Sequence, residues 1–230
     1  MTGNESEIVV DSEPNAQILL ASAKGAVEET SKIYGPIFSR MVWEHALEFE
    51  VETLKEKPPE SIEGLDGVID YIVANLEKYP RGYCSLIYGI GKAESKLEGA
   101  MASGAKRAAY TAMKSLIATS GLLDNVIGST DDLFEALKTF VEIEKAMQTA
   151  SPLHLVREDS ERVSMAVPEC PYKDACRALA SEGISRMFGG SECMMLIGLT
   201  AAAEIITEKT YDYKLDKFDN PDCTGKIYSV

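Results

Sequence analysis

Apolar residues return at three- and four-residue intervals along the first half of the chain, which predicts helices. The pattern predicts one helix from residue 14 to the break at 35–36, a second that ends near residue 57, and a third over 64–79. A longer helical stretch, rich in alanine and glycine, covers about 83–120. Because glycine weakens a helix, we expect these glycines to allow the close approach of another backbone or of a ligand.

The pattern changes along the second half of the chain. Ser129 is expected to cap a helix over 131–148, and alternating apolar residues over 153–167 predict a β-hairpin. The remaining segments have the patterns of two helices, at 173–181 and 191–207, and of a second pair of strands, at 211–215 and 227–230; a short strand is also expected at 8–10. Two hairpins that bracket two inserted helices predict an α+β fold, with an antiparallel sheet of four or five strands and the N-terminal helices packed on one side.

The chain has no internal repeat and no linker of the kind that separates independent domains. We therefore expect one compact molecule in two parts, an N-terminal arm with helices at 1–82 and an α+β domain at 83–230.

Charge and apolar content narrow the classes of function. The net charge is −14 without a basic run, which argues against nucleic acid and against anionic membranes as partners. The start of the chain is acidic where a signal peptide would be basic, and the longest apolar run, 194–203, is too short to span a bilayer. We expect a cytoplasmic protein with reduced thiols, a setting that favours metal binding over disulfides for clustered cysteines.

Four of the five cysteines lie towards the C-terminal end, at Cys170, Cys176, Cys193 and Cys223. Their spacing is neither that of a zinc ribbon nor that of a bacterial ferredoxin, and buried cysteines often act only as small hydrophobic residues. However, two of the four stand in turn sequences and Cys193 opens a predicted helix, where the helix dipole favours a thiolate. We therefore expect the four to share one metal or cluster site. Cys84 is left over, as a structural thiol.

The two histidines do not suggest a further metal site. His45 lies on the second predicted helix without a second histidine or a carboxylate pair at a metal-binding interval, and His154 falls on the polar face of a strand.

Three short motifs give the chain a family resemblance. They are the segment 86–92, with a tyrosine and two glycines, the hairpin 157–167 that leads into Cys170-Pro171, and the ending 220–227 around Cys223. With these motifs the chain resembles the 4-vinyl reductase domain superfamily, and within it the L-2-amino-thiazoline-4-carboxylic acid hydrolase-like branch. The resemblance covers residues 83–230. A glutamate and a cysteine that the family carries before its last cysteine have no counterpart in 212–216.

The resemblance implies a buried pocket for a small, mostly apolar ligand and a metal near the last hairpin. We expect the pocket to be lined by Tyr83, Tyr88, Gly89, Met194 and Met195. With four thiolates as ligands, a [4Fe–4S] cluster is favoured, and zinc is the alternative.

Two functions of different classes follow. The first is a cytoplasmic small-molecule-binding or redox-sensing protein, because the sequence offers no convincing set of nucleophile, acid and base. The second is a hydrolase or reductase that acts on a small ring compound at the metal centre. The metal centre could also have a purely structural role, in which metal binding only stabilises the fold. A homodimer is expected from the small residues of 100–112.

Overall fold

The computed structural model describes residues 6–57, 59–101, 105–184, 193–219 and 222–230, with the backbone alone at 98–101 and 105–109. Eight helices and five strands lie in these ranges. In chain order they are β1 (Glu7–Val10), α1 (Ala16–Tyr34), α2 (Pro36–Leu54), α3 (Gly64–Asn75), α4 (Tyr83–Met101), α5 (Ala105–Thr119), α6 (Leu133–Ala146), β2 (Leu153–Arg157), β3 (Arg162–Val167), α7 (Lys173–Ser181), α8 (Met194–Thr207), β4 (Tyr211–Lys217) and β5 (Cys223–Ser229).

Backbone proximity divides these elements into two compact units. The sheet unit contains all five strands with α6 and α8, and the helical unit contains α1 to α4 with α7. The division falls within α5, between Ala112 and Met113. The chain therefore returns to the helical unit at α7 after the first hairpin. The sequence-based division at residue 82 stays a prediction.

The sheet is antiparallel throughout and has the order β1-β2-β3-β5-β4, which confirms the predicted α+β class and the two hairpins. Side chains on β3 alternate, so that Val163, Met165 and Val167 are buried. Within this unit α6 contacts β3, and α8 contacts β4 and β5. The predicted packing of the N-terminal helices on the sheet stays a prediction.

Local capping sets where the helices begin. Asn15 starts α1, because its side-chain oxygen accepts hydrogen bonds from the backbone N–H groups of Gln17 and Ile18. The predicted cap of α6 at Ser129 is wrong. Asp132 caps this helix instead, since its carboxylate accepts the N–H of Glu135 at 2.9 Å.

The helical unit is built around α4, which contacts α1, α2 and α7. Every residue from 82 to 91 is buried, so the first half of this helix is enclosed on all sides. A Cβ at Gly89 would lie 2.4 Å from the carbonyl oxygen of Val42, which means that α2 and α4 meet backbone to backbone at this point. This is the close approach that the glycines predicted. The longer predicted stretch is two helices, α4 and α5, and residues 102–104 lie outside the described chain.

None of the helices in the described ranges combines the length and the apolar character that a membrane span requires.

Candidate functional site

The four predicted ligand cysteines are divided between the two units. Cys176 lies on α7 in the helical unit, whereas Cys170, Cys193 and Cys223 belong to the sheet unit. Cys193 stands at the N-cap of α8, as predicted, but its side chain makes no capping hydrogen bond to the helix. Burial raises the pKa of this thiol to about 11, and the nearby Cys223 acts in the same direction.

These cysteines do not form the expected centre. Across the described ranges, which include all five cysteines, no three histidine, cysteine, aspartate or glutamate side chains come together in a way that could hold a metal ion. The prediction of a [4Fe–4S] cluster, and of zinc as its alternative, is therefore wrong.

Cys84 is a buried thiol on α4. Its sulfur donates a hydrogen bond to the carbonyl oxygen of Pro171 at 3.1 Å. Burial raises the pKa of this thiol to about 12, which makes it an unreactive part of the core.

The predicted pocket residues are also divided between the units. Tyr83 is buried on α4 with its ring edge-on to Tyr172, at 6.1 Å between ring centroids. Met195 is buried and Met194 half-buried at the start of α8 in the sheet unit. Their assignment to one ligand pocket, with Tyr88 and Gly89, stays a prediction.

Tyr88 belongs to a polar cluster at the edge of the helical unit. Its ring stacks on Phe49 of α2 at 4.7 Å, and its hydroxyl donates to the Glu182 carboxylate just after α7. Lys92, one turn further along α4, pairs with the same carboxylate and lies 5.7 Å from the Tyr88 ring centroid. This cluster ties α2, α4 and the end of α7 together.

His45 bridges two charged side chains. It is 9% exposed on α2. The Lys96 ammonium donates to its Nε2 at 2.8 Å, so Nδ1 is the nitrogen that donates to Glu48 at 2.9 Å. Both ring nitrogens are therefore engaged. The second histidine, His154, contacts Glu7 of the neighbouring strand through Nε2.

The helical unit also buries a carboxyl group, that of Glu50 near the end of α2. It occupies the last position of a buried row at four-residue spacing, after Phe38, Val42 and Ala46, and it is 0% exposed. Ser85 of α4 donates its hydroxyl to the Oε2 atom of Glu50. The other oxygen, Oε1, has no hydrogen-bond partner among the residues that the structure describes.

Burial raises the pKa of Glu50 to about 7, against the smaller opposite effect of the Ser85 hydrogen bond. The carboxyl group thus exchanges its proton close to neutral pH. Leaving a buried polar atom unpaired costs about 1–3 kcal/mol, which is why such atoms in native proteins commonly mark a water, an ion or a ligand. Chemically, the Glu50 carboxyl can accept a hydrogen bond from one further group.

Sequence inspection missed Glu50 because the apolar residues of α2 are spread around the helix. Leu47 and Val51 are half-buried on another side, so the pattern did not define one inward face. The only available signal was the row itself, in which Glu50 follows Ala46 by one turn.

No family model and no curated protein matches this chain. Solved structures similar to it include a point mutant of the T. tengcongensis H-NOX, with 10% identity over 93% of this chain and 94% of that one and a TM-score of 0.38. Another is an oxygen-binding H-NOX domain related to soluble guanylate cyclases, with 12% identity, the same two coverages and a TM-score of 0.29. At TM-scores this low, the likeness carries neither a fold nor a function over to this chain.

The predicted membership of the 4-vinyl reductase domain superfamily is wrong, since no family model of that superfamily matches the chain. The motifs behind it were short. In the motif 86–92, the contact between α2 and α4 accounts for Gly89. In the motif 220–227, Cys223 is the first residue of β5, and residues 220–221 lie outside the described chain.

Proposed function

We propose that this chain is a small-molecule-binding sensor module, without catalytic activity of its own, and that its helical unit holds the ligand at Glu50. The observation that supports the proposal is the buried carboxyl oxygen Oε1, which has no partner among the described residues. Two α-helices fix this group, because Ser85 of α4 holds the other oxygen and Gly89 brings α4 against α2.

The chemistry of the site indicates the ligand. A carboxylate accepts hydrogen bonds, and its strongest partners are cationic donors. The rest of the buried row on α2 is apolar. The ligand is therefore a small molecule with an apolar body and one donor, of which an ammonium group binds best.

The enzyme alternative loses its basis with the metal centre, because it relied on chemistry at that centre. Heme, the group studied in one of the solved H-NOX structures, does not fit the histidines of this chain. His45 has both ring nitrogens engaged and His154 contacts Glu7 through Nε2. A cytoplasmic location and a homodimer stay predictions.

Three probes with one aromatic ring and different polar groups test the proposal: benzylamine, phenol and benzoate. Benzylamine should raise the melting temperature most, phenol less, and benzoate not at all, because benzoate offers no donor to Glu50. A ligand at a concentration ten times its Kd stabilises the folded state by about 1.4 kcal/mol. For a chain of this size, that raises the melting temperature by about 4 °C.

The Glu50→Gln variant should lose the response to benzylamine. Glu52→Gln, an exposed position on the same helix, is the matched control and should keep it. The proposal is overturned if none of the probes changes the melting temperature, or if benzylamine stabilises Glu50→Gln as much as the unchanged protein.

A further inference from the structure

A groove of about 620 Å³ runs along the outward side of α2. We call this surface the α2 outer face. It is lined by Glu44, Leu47, Glu48, Val51, Glu52, Lys55 and Glu56. None of these residues is in the buried row that contains Glu50, so the face is separate from the ligand site proposed above.

The lining residues form two parallel rows. Glutamates recur at every fourth position of α2 from Glu44 to Glu52, and the half-buried Leu47 and Val51 form an apolar row beside them; Glu56 follows after the helix ends at Leu54. On a helix, residues four apart lie one above the other, so each row runs along the axis. The α2 outer face therefore has an apolar stripe with an acidic stripe next to it.

Contacts within the chain explain the acidic row only in part, although His45 donates to Glu48 at 2.9 Å as described above. Like charges four residues apart on a helix are destabilising by about 0.2–0.5 kcal/mol per pair. The neighbouring cations compensate in part, since Arg40 lies 2.8 Å from Glu44 and Lys78 lies 2.6 Å from Glu56. Such exposed pairs contribute little, and Lys55 is the only cation among the seven lining residues.

The acidic row also acts on the cluster beneath it. Burial raises the pKa of the Tyr88 phenol, and the negative charges of Glu48 and Glu52 act in the same direction. The negative potential of the face thus reaches the side chains that join α2 to α4.

We infer that the α2 outer face binds an amphipathic helix of a partner protein, with leucine-like residues in one row and lysine or arginine in the next. An apolar stripe needs an apolar partner, and an adjacent acidic stripe selects basic residues at matching spacing. The helical part of the face extends from Glu44 to Glu52, so a partner helix of two turns or more, roughly 12 Å long, covers it.

A pair of synthetic peptides tests this inference. The first is an alanine-based helix of about 15 residues with leucine at every fourth position and lysine directly after each leucine. The second has glutamate in place of lysine. Fluorescence anisotropy should show that the unchanged protein binds the lysine peptide, that binding weakens as salt is added, and that the glutamate peptide does not bind.

Charge reversal distinguishes a specific contact from general attraction to an acidic protein. The double variant Glu48→Lys with Glu52→Lys should weaken binding of the lysine peptide by roughly tenfold or more and bind the glutamate peptide instead. The matched control replaces two other exposed glutamates by lysine, Glu28 on α1 and Glu161 in the turn after β2. This control should bind the lysine peptide with the affinity of the unchanged protein. Circular dichroism verifies that each variant is folded.

The inference is overturned if the lysine peptide does not bind, or if the control variant weakens it as much as the reversal at Glu48 and Glu52. It is equally overturned if Leu47→Ala with Val51→Ala leaves the affinity unchanged, because the apolar stripe would then have no part in the contact.

Discussion

Replacing Glu50 by glutamine should change how the stability of the helical unit depends on pH. Glutamine has nearly the shape of a protonated glutamate but does not titrate. In the folded chain burial raises the pKa of Glu50 from 4.5 to about 7. Between these two values the unfolded chain has lost the proton and the folded chain still holds it. The stability that the protonated group provides is therefore complete below about pH 4.5 and is lost as the pH rises to about 7.

The size of the effect follows from the shift. Each unit of pKa difference between the folded and unfolded states corresponds to about 1.4 kcal/mol. Because Glu50 is 0% exposed, solvent screening does not reduce the effect. The free energy of unfolding of Glu50→Gln, minus that of the unchanged protein, should rise by about 3 kcal/mol between pH 4.5 and pH 8.

Urea denaturation followed by tryptophan fluorescence measures this difference. Trp43, the only tryptophan, lies on α2 two turns before Glu50 and so reports on the helical unit. Burial also raises the pKa of Glu144 on α6, to about 8, but this group is present in both proteins and is removed by the subtraction. Glu52→Gln on the exposed side of α2 is the control and should show no such rise. A difference between Glu50→Gln and the unchanged protein that stays constant from about pH 5 to about pH 8 would refute the reasoning.

Three further changes test other contacts. Gly89→Ala should destabilise the helical unit by about 1–3 kcal/mol in urea denaturation, because the new Cβ would meet the backbone of α2. The control Gly198→Ala places its Cβ in open space and should stabilise α8 by roughly 0.5–1 kcal/mol. Equal effects of the two substitutions would contradict this packing. Cys193, which is half-buried, should react with a disulfide reagent at about pH 7.5 roughly 100-fold more slowly than a free thiol, because its pKa is about 11. A rate near that of a free thiol would show that this pKa is not raised. Arg157→Lys should cost about 1–2 kcal/mol of unfolding free energy, because it loses the forked contact with Asp132 at 2.6 Å and with Glu135, in the first turn of α6, at 3.1 Å. An unchanged midpoint of urea denaturation would show that this contact contributes nothing.

Local patterns predicted most of the elements. The helix α7 has the predicted limits, and the alternation over 153–167 gave both strands of the first hairpin. The start of α6 was misplaced because Ser129 and Asp132 are both good capping residues, and only the backbone geometry decides which side chain reaches the free N–H.

The candidate site was not predictable in the same way. The carboxyl group of Glu50 is buried because α2 is in contact with α1, α3 and α4, and no local pattern specifies which side of α2 turns inward. The cysteines illustrate the opposite error. Their turn sequences suggested ligands, but whether sulfur atoms far apart in sequence meet in space is a property of the tertiary structure, and no group of three such ligands forms among the described residues.

A nuclear magnetic resonance titration of the glutamate carboxyl carbons, with Glu50→Gln to assign the signal, is the most direct measurement of the central claim. The Glu50 signal should titrate near pH 7 in the protein alone. Its midpoint should fall when benzylamine is added, because an ammonium group favours the ionised carboxylate. A midpoint near the ordinary 4.5 without ligand, or a midpoint that benzylamine does not move, would contradict the account.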